Sequence, residues 1–165
     1  MASVTFQGNT VSTTGELPKV GEKAPDFALV KADLSEVSLS SLAGKNVVLN
    51  IFPSIDTGTC ATSVRKFNEK AADLDNTIVI CVSADLPFAA GRFCGAEGIE
   101  NAITLSDFVD GSFGKDNMLE MTDGPLANLH SRCVISLNKK HEVIYTEQVS
   151  EIVDEPDYER ALGAL

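Results

Sequence analysis

Residues 46–60 read NVVLNIFPSIDTGTC. The first seven form an apolar run, bounded by Gly44-Lys45 and by Pro53. A short, nearly continuous apolar run between turn residues is the pattern of a central strand covered on both faces. Beyond Pro53 the period changes. Val64, Phe67, Ala71 and Leu74 are spaced three, four and three apart, which is one face of an α-helix. Strand, proline-marked turn and helix therefore follow one another within thirty residues, and Cys60 stands at the helix start. The helix is expected to end at Asp75-Asn76.

The flanks extend this pattern. Thr77–Ser83 (TIVICVS) is a second apolar strand, and Pro87 suits the first turn of a helix running toward Gly95. Cys133–Leu137 and residues 142–149 read as two strands joined by a turn at Asn138-Lys139-Lys140, and residues 156–165 as a closing helix. At the other end, residues 4–13 alternate as a small hairpin with its turn at Gly8-Asn9, followed by a polar stretch through Pro25. This order implies an α/β fold of thioredoxin-like type, a mixed sheet flanked by helices with an N-terminal β-hairpin. No repeat, linker or low-complexity tract divides residues 1–165, so one domain is expected.

The chain has 165 residues, 44% of them hydrophobic and 22% charged. A domain of that size buries roughly 70% of its unfolded surface and needs neither a disulfide nor a metal to hold it together. With 24 acidic and 13 basic residues the net charge is −11, so nucleic acid and anionic membranes are not expected partners. No stretch has the roughly 18 apolar residues of a membrane span, and residues 1–15 lack a basic segment followed by an apolar one. The expected compartment is the cytoplasm, where cysteines stay reduced.

There are four cysteines, no C-x-x-C, and two histidines, His130 and His141, outside any ligand-like spacing, so no metal or cofactor is expected. Cys81 lies inside an apolar strand and reads as a small buried hydrophobe. Cys133 follows Arg132 in a strand, so if Arg132 faces a site, Cys133 faces away from it. Cys60 differs. It sits four residues before Val64 on the inward face of the helix start, where unpaired N–H groups and the helix dipole favour an anion, after Thr57, Gly58 and Thr59. Position alone leaves a reactive and a buried structural thiol equally open. Cys94 lies in GRFCGAEG, whose glycines at 91, 95 and 98 make a helix that unwinds easily, or else a capping turn that happens to hold a cysteine.

The run 53–60, P-S-I-D-T-G-T-C, resembles the P-x-x-x-T-x-x-C form of the peroxiredoxins. NIFPSIDTGTC, SADLPFA at 83–89, RFCGAEG at 92–98, the hairpin and PDF at 25–27 are together similar to the bacterial thiol peroxidase branch, the atypical two-cysteine peroxiredoxins, over nearly the whole chain. The resemblance implies a peroxidase reducing hydrogen peroxide and alkyl hydroperoxides in antioxidant defence. Cys60 would be the peroxidatic and Cys94 the resolving cysteine, joined in an intramolecular disulfide. Thr57 would hold thiolate and peroxide, Pro53 would shield the sulfur and Arg132 would supply the cation. It further implies a homodimer and thioredoxin as reductant. A cysteine beside that arginine, as Cys133 is here, departs from the expected pattern.

Two other classes compete: a cysteine hydrolase using His130 or His141 as base, and a non-catalytic redox sensor or binding module. Magnitudes constrain the peroxidase reading. A free cysteine is roughly 3% thiolate at pH 7, so full ionisation raises the reactive fraction only about 30-fold. A helix N-terminus supplies only ~0.3–1 kcal/mol toward that, whereas a charged hydrogen bond supplies roughly 1.5–3. Fast peroxide reduction must then rest mainly on orienting the O–O bond and stabilising the departing charge.

Overall fold

The computed structural model describes residues 2–165. In chain order its strands and helices are β1 (Ser3–Phe6), β2 (Asn9–Ser12), β3 (Ala28–Val30), β4 (Glu36–Ser38), β5 (Asn46–Ile51), α1 (Gly58–Ala71), β6 (Thr77–Ser83), α2 (Pro87–Glu97), β7 (Ala102–Ser106), α3 (Ser112–Asp116), β8 (Cys133–Leu137), β9 (Val143–Gln148) and α4 (Tyr158–Gly163). The seven-stranded sheet has the order β4-β3-β7-β6-β5-β8-β9, and β1 with β2 form a separate hairpin.

The run that opens the argument is β5, interior to the sheet, parallel to β6 and antiparallel to β8. Its side chains alternate between two apolar layers. Val47, Leu49 and Ile51 pack on one side with Phe27, Leu105, Phe113 and Leu119. Val48, and Phe52 just beyond the strand, pack on the other side with Val64 and Phe67 of α1 and Tyr158 and Ala161 of α4. The steps β5-α1-β6 and β6-α2-β7 are parallel crossovers advancing in the same direction, and the right-handed rule for such crossovers puts α1 and α2 on the same face. α3 covers the other face through Phe113. A thioredoxin-like α/β fold results, with helices on both faces of a mixed sheet.

The structure corrects several expected boundaries. The hairpin turns at Gln7-Gly8, both at positive φ (51° and 83°), and Asn9 already pairs with Phe6 in the ladder. This register sets Val4 directly opposite Val11, both buried against Met121 and Ile152. Helix α1 stops at Ala71, before the expected end at Asp75-Asn76, and Leu74 reaches the core from the turn that follows. Three strands, one α-helix and a short 3-10 helix at Ser40–Leu42 lie outside the expected set. β3 and β4 have three residues each, too few to carry a period-two signal, while β7 and α3 have five each.

Candidate active site

Register brings the site together at one end of the sheet. Ile51 is opposite both Val82 of β6 and Cys133 of β8, so the turn after β5, the loop after β6 and Arg132 before β8 converge at the carboxyl ends of the parallel strands. Thr57 is the extended residue before α1 (φ −96°, ψ 149°), and its carbonyl accepts the first helical hydrogen bond, from the Ala61 amide at 3.0 Å. Cys60 is the third helical residue and is fully buried.

Arg132 is among the largest fully buried side chains. Its Nη2 donates to Cys60 Sγ at 3.2 Å and its Nε to the Ile152 carbonyl at 2.8 Å, while Nη1 is buried without a partner. Desolvating a guanidinium is expensive unless an anion faces it. Here the facing acceptor is a sulfur, with a carbonyl as second partner. Glu155 lies close enough to feel the Arg132 charge, but bonds from Lys66 and the Tyr158 hydroxyl are the larger causes holding its carboxyl below the ordinary range. A cavity of about 310 Å³ adjoins the guanidinium. Pro53, Thr57, Gly58 and Thr59 line it from the turn and helix start, and Phe6, Leu126 and Val153 form an apolar side. Cys60 does not itself line the cavity; the bond from Arg132 connects it to the residues that do, Pro53 and Thr57 among them. The Thr57 hydroxyl donates to the Ser54 carbonyl at 3.0 Å, so its proton must turn away from Ser54 before it can serve a sulfur or a peroxide.

Cys94 lies in α2, half-buried, with Sγ 3.7 Å from the Thr104 hydroxyl, and burial pushes its thiol above the ordinary value. All four cysteines are free thiols, so Cys60 and Cys94 are unbonded here, each with its own partner. α2 is lightly anchored: only Pro87 and Ala90 are buried, and it ends on Gly98 in the left-handed region. Polar contacts tie it to α1. Arg65 makes paired bonds to Glu97 at 2.9 and 3.0 Å with its guanidinium 5.4 Å over the Phe93 ring, and Asn68 accepts the amides of Glu100 and Asn101.

The remaining candidates separate from the site. Burial pushes the thiols of Cys81 and Cys133 up to about 12. Cys133 packs in the layer opposite that of Cys60, as strand alternation beside Arg132 requires. His130 Nε2 is paired with Asp107 at 2.9 Å and His141 Nε2 with the Leu42 carbonyl at 3.0 Å, so neither is bonded to a cysteine. Among the described residues the geometry offers no Cys–His pair for a hydrolase.

Three supporting residues escaped the sequence reading. Asp85 accepts the Ser54 hydroxyl, the Ile55 amide and the Ser83 hydroxyl, each at 2.7 Å, and so holds the turn before Cys60. Asn50 is buried within β5, donates to Ser63 at 3.1 Å, and Ser63 donates to the Cys60 carbonyl at 2.7 Å. A polar residue inside an otherwise apolar strand was a visible signal for Asn50. Glu151, the third, is bonded to the hairpin turn at Gln7 and Gly8.

Comparison with known proteins shows the family and the fold. The Redoxin family model matches residues 19–162. The thiol peroxidase of Corynebacterium glutamicum is 54% identical over 165 residues, covering 100% of this chain and 99% of that one. Among solved structures, a peroxiredoxin-like protein from Aquifex aeolicus superposes with a TM-score of 0.92 at 35% identity, covering 98% of this chain and 94% of the other. The thiol peroxidase from Chromobacterium violaceum shares the fold, with a TM-score of 0.88 at 21% identity over 96% and 92% of the two chains.

Proposed function

With the chain a member of the redoxin family and a thiol-dependent peroxidase, we propose that Cys60 is its peroxidatic cysteine and Cys94 its resolving one. The observation that carries the assignment is the buried Arg132 guanidinium bonded to Cys60 Sγ at 3.2 Å beside a cavity of about 310 Å³. A buried cation at a helix N-terminus complements a thiolate, and its unpartnered Nη1 is a donor in reserve for a peroxide oxygen.

In the proposed cycle the Cys60 thiolate attacks the terminal oxygen of a hydroperoxide. The O–O bond breaks, the departing oxygen takes a proton and leaves as water or an alcohol, and Cys60 becomes a sulfenic acid. The Thr57 hydroxyl and Arg132 hold the peroxide in line, and Pro53 keeps bulk water off the sulfur. The Cys94 thiolate then attacks the sulfenic sulfur, the S–O bond breaks with loss of water, and a Cys60–Cys94 disulfide forms. An external dithiol returns both thiols by exchange. Thioredoxin is our reading of that dithiol, and hydrogen peroxide and alkyl hydroperoxides our reading of the substrates, the apolar side of the cavity supporting the latter. The light anchoring of α2 supports its unwinding to let Cys94 reach Cys60.

We read residues 1–165 as one domain acting in the cytoplasm. Among the described residues no helix is long and apolar enough to cross a membrane. A homodimer is supported by the exposed side chains of Leu86, Phe88, Phe108 and Val109, which follow β6 and β7 at the same end of the sheet as the site. The test is consumption of hydrogen peroxide by the purified chain with thioredoxin and its reductase. We expect turnover by the wild type and none by Cys60→Ser. A single stoichiometric oxidation without turnover would show a sensor instead.

A further inference from the structure

We propose that Glu151 determines the preference among hydroperoxides by clasping the N-terminal hairpin over the cavity, a positioning role that rests on reading Cys60 and Arg132 as the reactive pair. The Glu151 carboxylate accepts the Gly8 amide at 2.8 Å and the Gln7 amide at 3.2 Å. These are the two central residues of the hairpin turn, both at positive φ, which for Gln7 is uncommon in a residue with a side chain. Two successive amides converging on one anion form a small binding concavity in which the carboxylate holds the turn's conformation. The backbone strengthens the join: the Thr5 amide donates to the Ser150 carbonyl at 2.7 Å, and the Ile152 amide to the Thr5 carbonyl at 2.8 Å.

The same segment supports the reactive side. The Ile152 carbonyl accepts Arg132 Nε, and the Val153 carbonyl accepts the Thr59 hydroxyl at 2.9 Å. Residues 151–153 thus grip the hairpin by a side chain and the site by two carbonyls. Phe6 and Gln7 of the hairpin line the cavity beside Leu126, Ile152 and Val153. The Glu151 carboxyl is held below the ordinary carboxylate range, chiefly by the Gly8 amide. It is therefore charged across the working pH range.

Hydrogen peroxide has no apolar group and uses only the donors around Cys60. An organic hydroperoxide must also take its hydrocarbon part out of water, and Phe6 is the aromatic surface available for that. Loosening the turn displaces Phe6 and penalises the organic substrate alone, whereas a loss acting through Arg132 would slow both.

The experiment compares kcat/KM for cumene hydroperoxide and hydrogen peroxide in the wild type, Glu151→Ala, Glu151→Gln and Phe6→Ala. For Glu151→Ala we expect the cumene-to-hydrogen-peroxide ratio to fall about tenfold, with the hydrogen peroxide value changed less than about twofold. Gln keeps one carbonyl oxygen for an amide and should recover part of the ratio. Phe6→Ala should lower the ratio similarly, and the Phe6→Ala, Glu151→Ala double variant no further, since both act through one wall. An unchanged ratio in Glu151→Ala, an equal fall for both peroxides, or additive losses in the double variant would overturn the proposal. A wild type that consumed neither peroxide would overturn the assignment of the site and this inference with it.

Discussion

Replacing Arg132 by Met keeps most of the buried stem and removes the charge and every donor, so it separates ionisation of Cys60 from stabilisation of the reaction. In the structure the guanidinium makes one charge-assisted contact to the sulfur and has one unpartnered nitrogen, Nη1. The first contact contributes roughly 1.5–3 kcal/mol. Nη1 is a buried donor whose unmet hydrogen bond costs about 1–3 kcal/mol, recovered as a peroxide oxygen becomes negative. Together they amount to about 2.5–6 kcal/mol, a fall of about 10²–10⁴ in the rate of Cys60 oxidation at pH 7. The part that acts through the thiolate fraction returns as the pH is raised, whereas the part recovered only as the O–O bond breaks does not. The chain has no tryptophan, so the assay is rapid quench followed by alkylation and mass spectrometry of Cys60 between pH 6 and 10. We expect Arg132→Met to remain at least about tenfold slower than the wild type at pH 10. Full recovery at high pH would refute a transition-state role for Arg132.

Burial raises the Cys94 thiol above its ordinary value, so below that raised value its thiolate, and with it the disulfide-forming step, should increase about tenfold per pH unit across neutrality. Quench-flow mapping of the disulfide from pH 6.5 to 9 checks this, and a flat profile would contradict it. Asp85→Asn turns an acceptor of three bonds into a group with only one acceptor oxygen, leaving a donor of the 54–55 turn unpaired. It should lower stability by about 1–3 kcal/mol, a drop of roughly 2–10 °C in melting temperature, and lower kcat/KM by about tenfold or more. Glu97→Gln weakens the exposed ion pair joining α2 to α1, and disulfide formation should quicken by less than about fivefold at low salt, an effect that fades as salt is added.

The centre of the fold was legible because its signals are local. The apolar runs of β5, β6 and β8, the switch to helical spacing after Pro53 and the proline opening α2 each lie in one short window, and the structure follows them. The strand alternation that turns Cys133 away from Arg132's side needed only its neighbour. β3 and β4 were not legible, since three-residue strands at a sheet edge are specified by their partners more than by their own pattern. The hairpin turn lies one residue before Gly8-Asn9, a pair that resembles a favoured turn, because the packing of Val4 on Val11 sets the register. Asp85 and Glu151 were hidden for a further reason. Each serves backbone amides far along the chain or across a turn, and nothing beside them in sequence marks that destination.

The most direct test of the central claim is the thiol state of the reduced chain after one equivalent of hydrogen peroxide, mapped by peptide mass spectrometry with and without prior alkylation. The account predicts a single intramolecular disulfide joining Cys60 to Cys94, with Cys81 and Cys133 still reduced, and a Cys94→Ser variant that accumulates the sulfenic acid on Cys60. Oxygen or disulfide appearing first on Cys81 or Cys133, or a Cys60→Ser chain consuming peroxide at the wild-type rate, would contradict it.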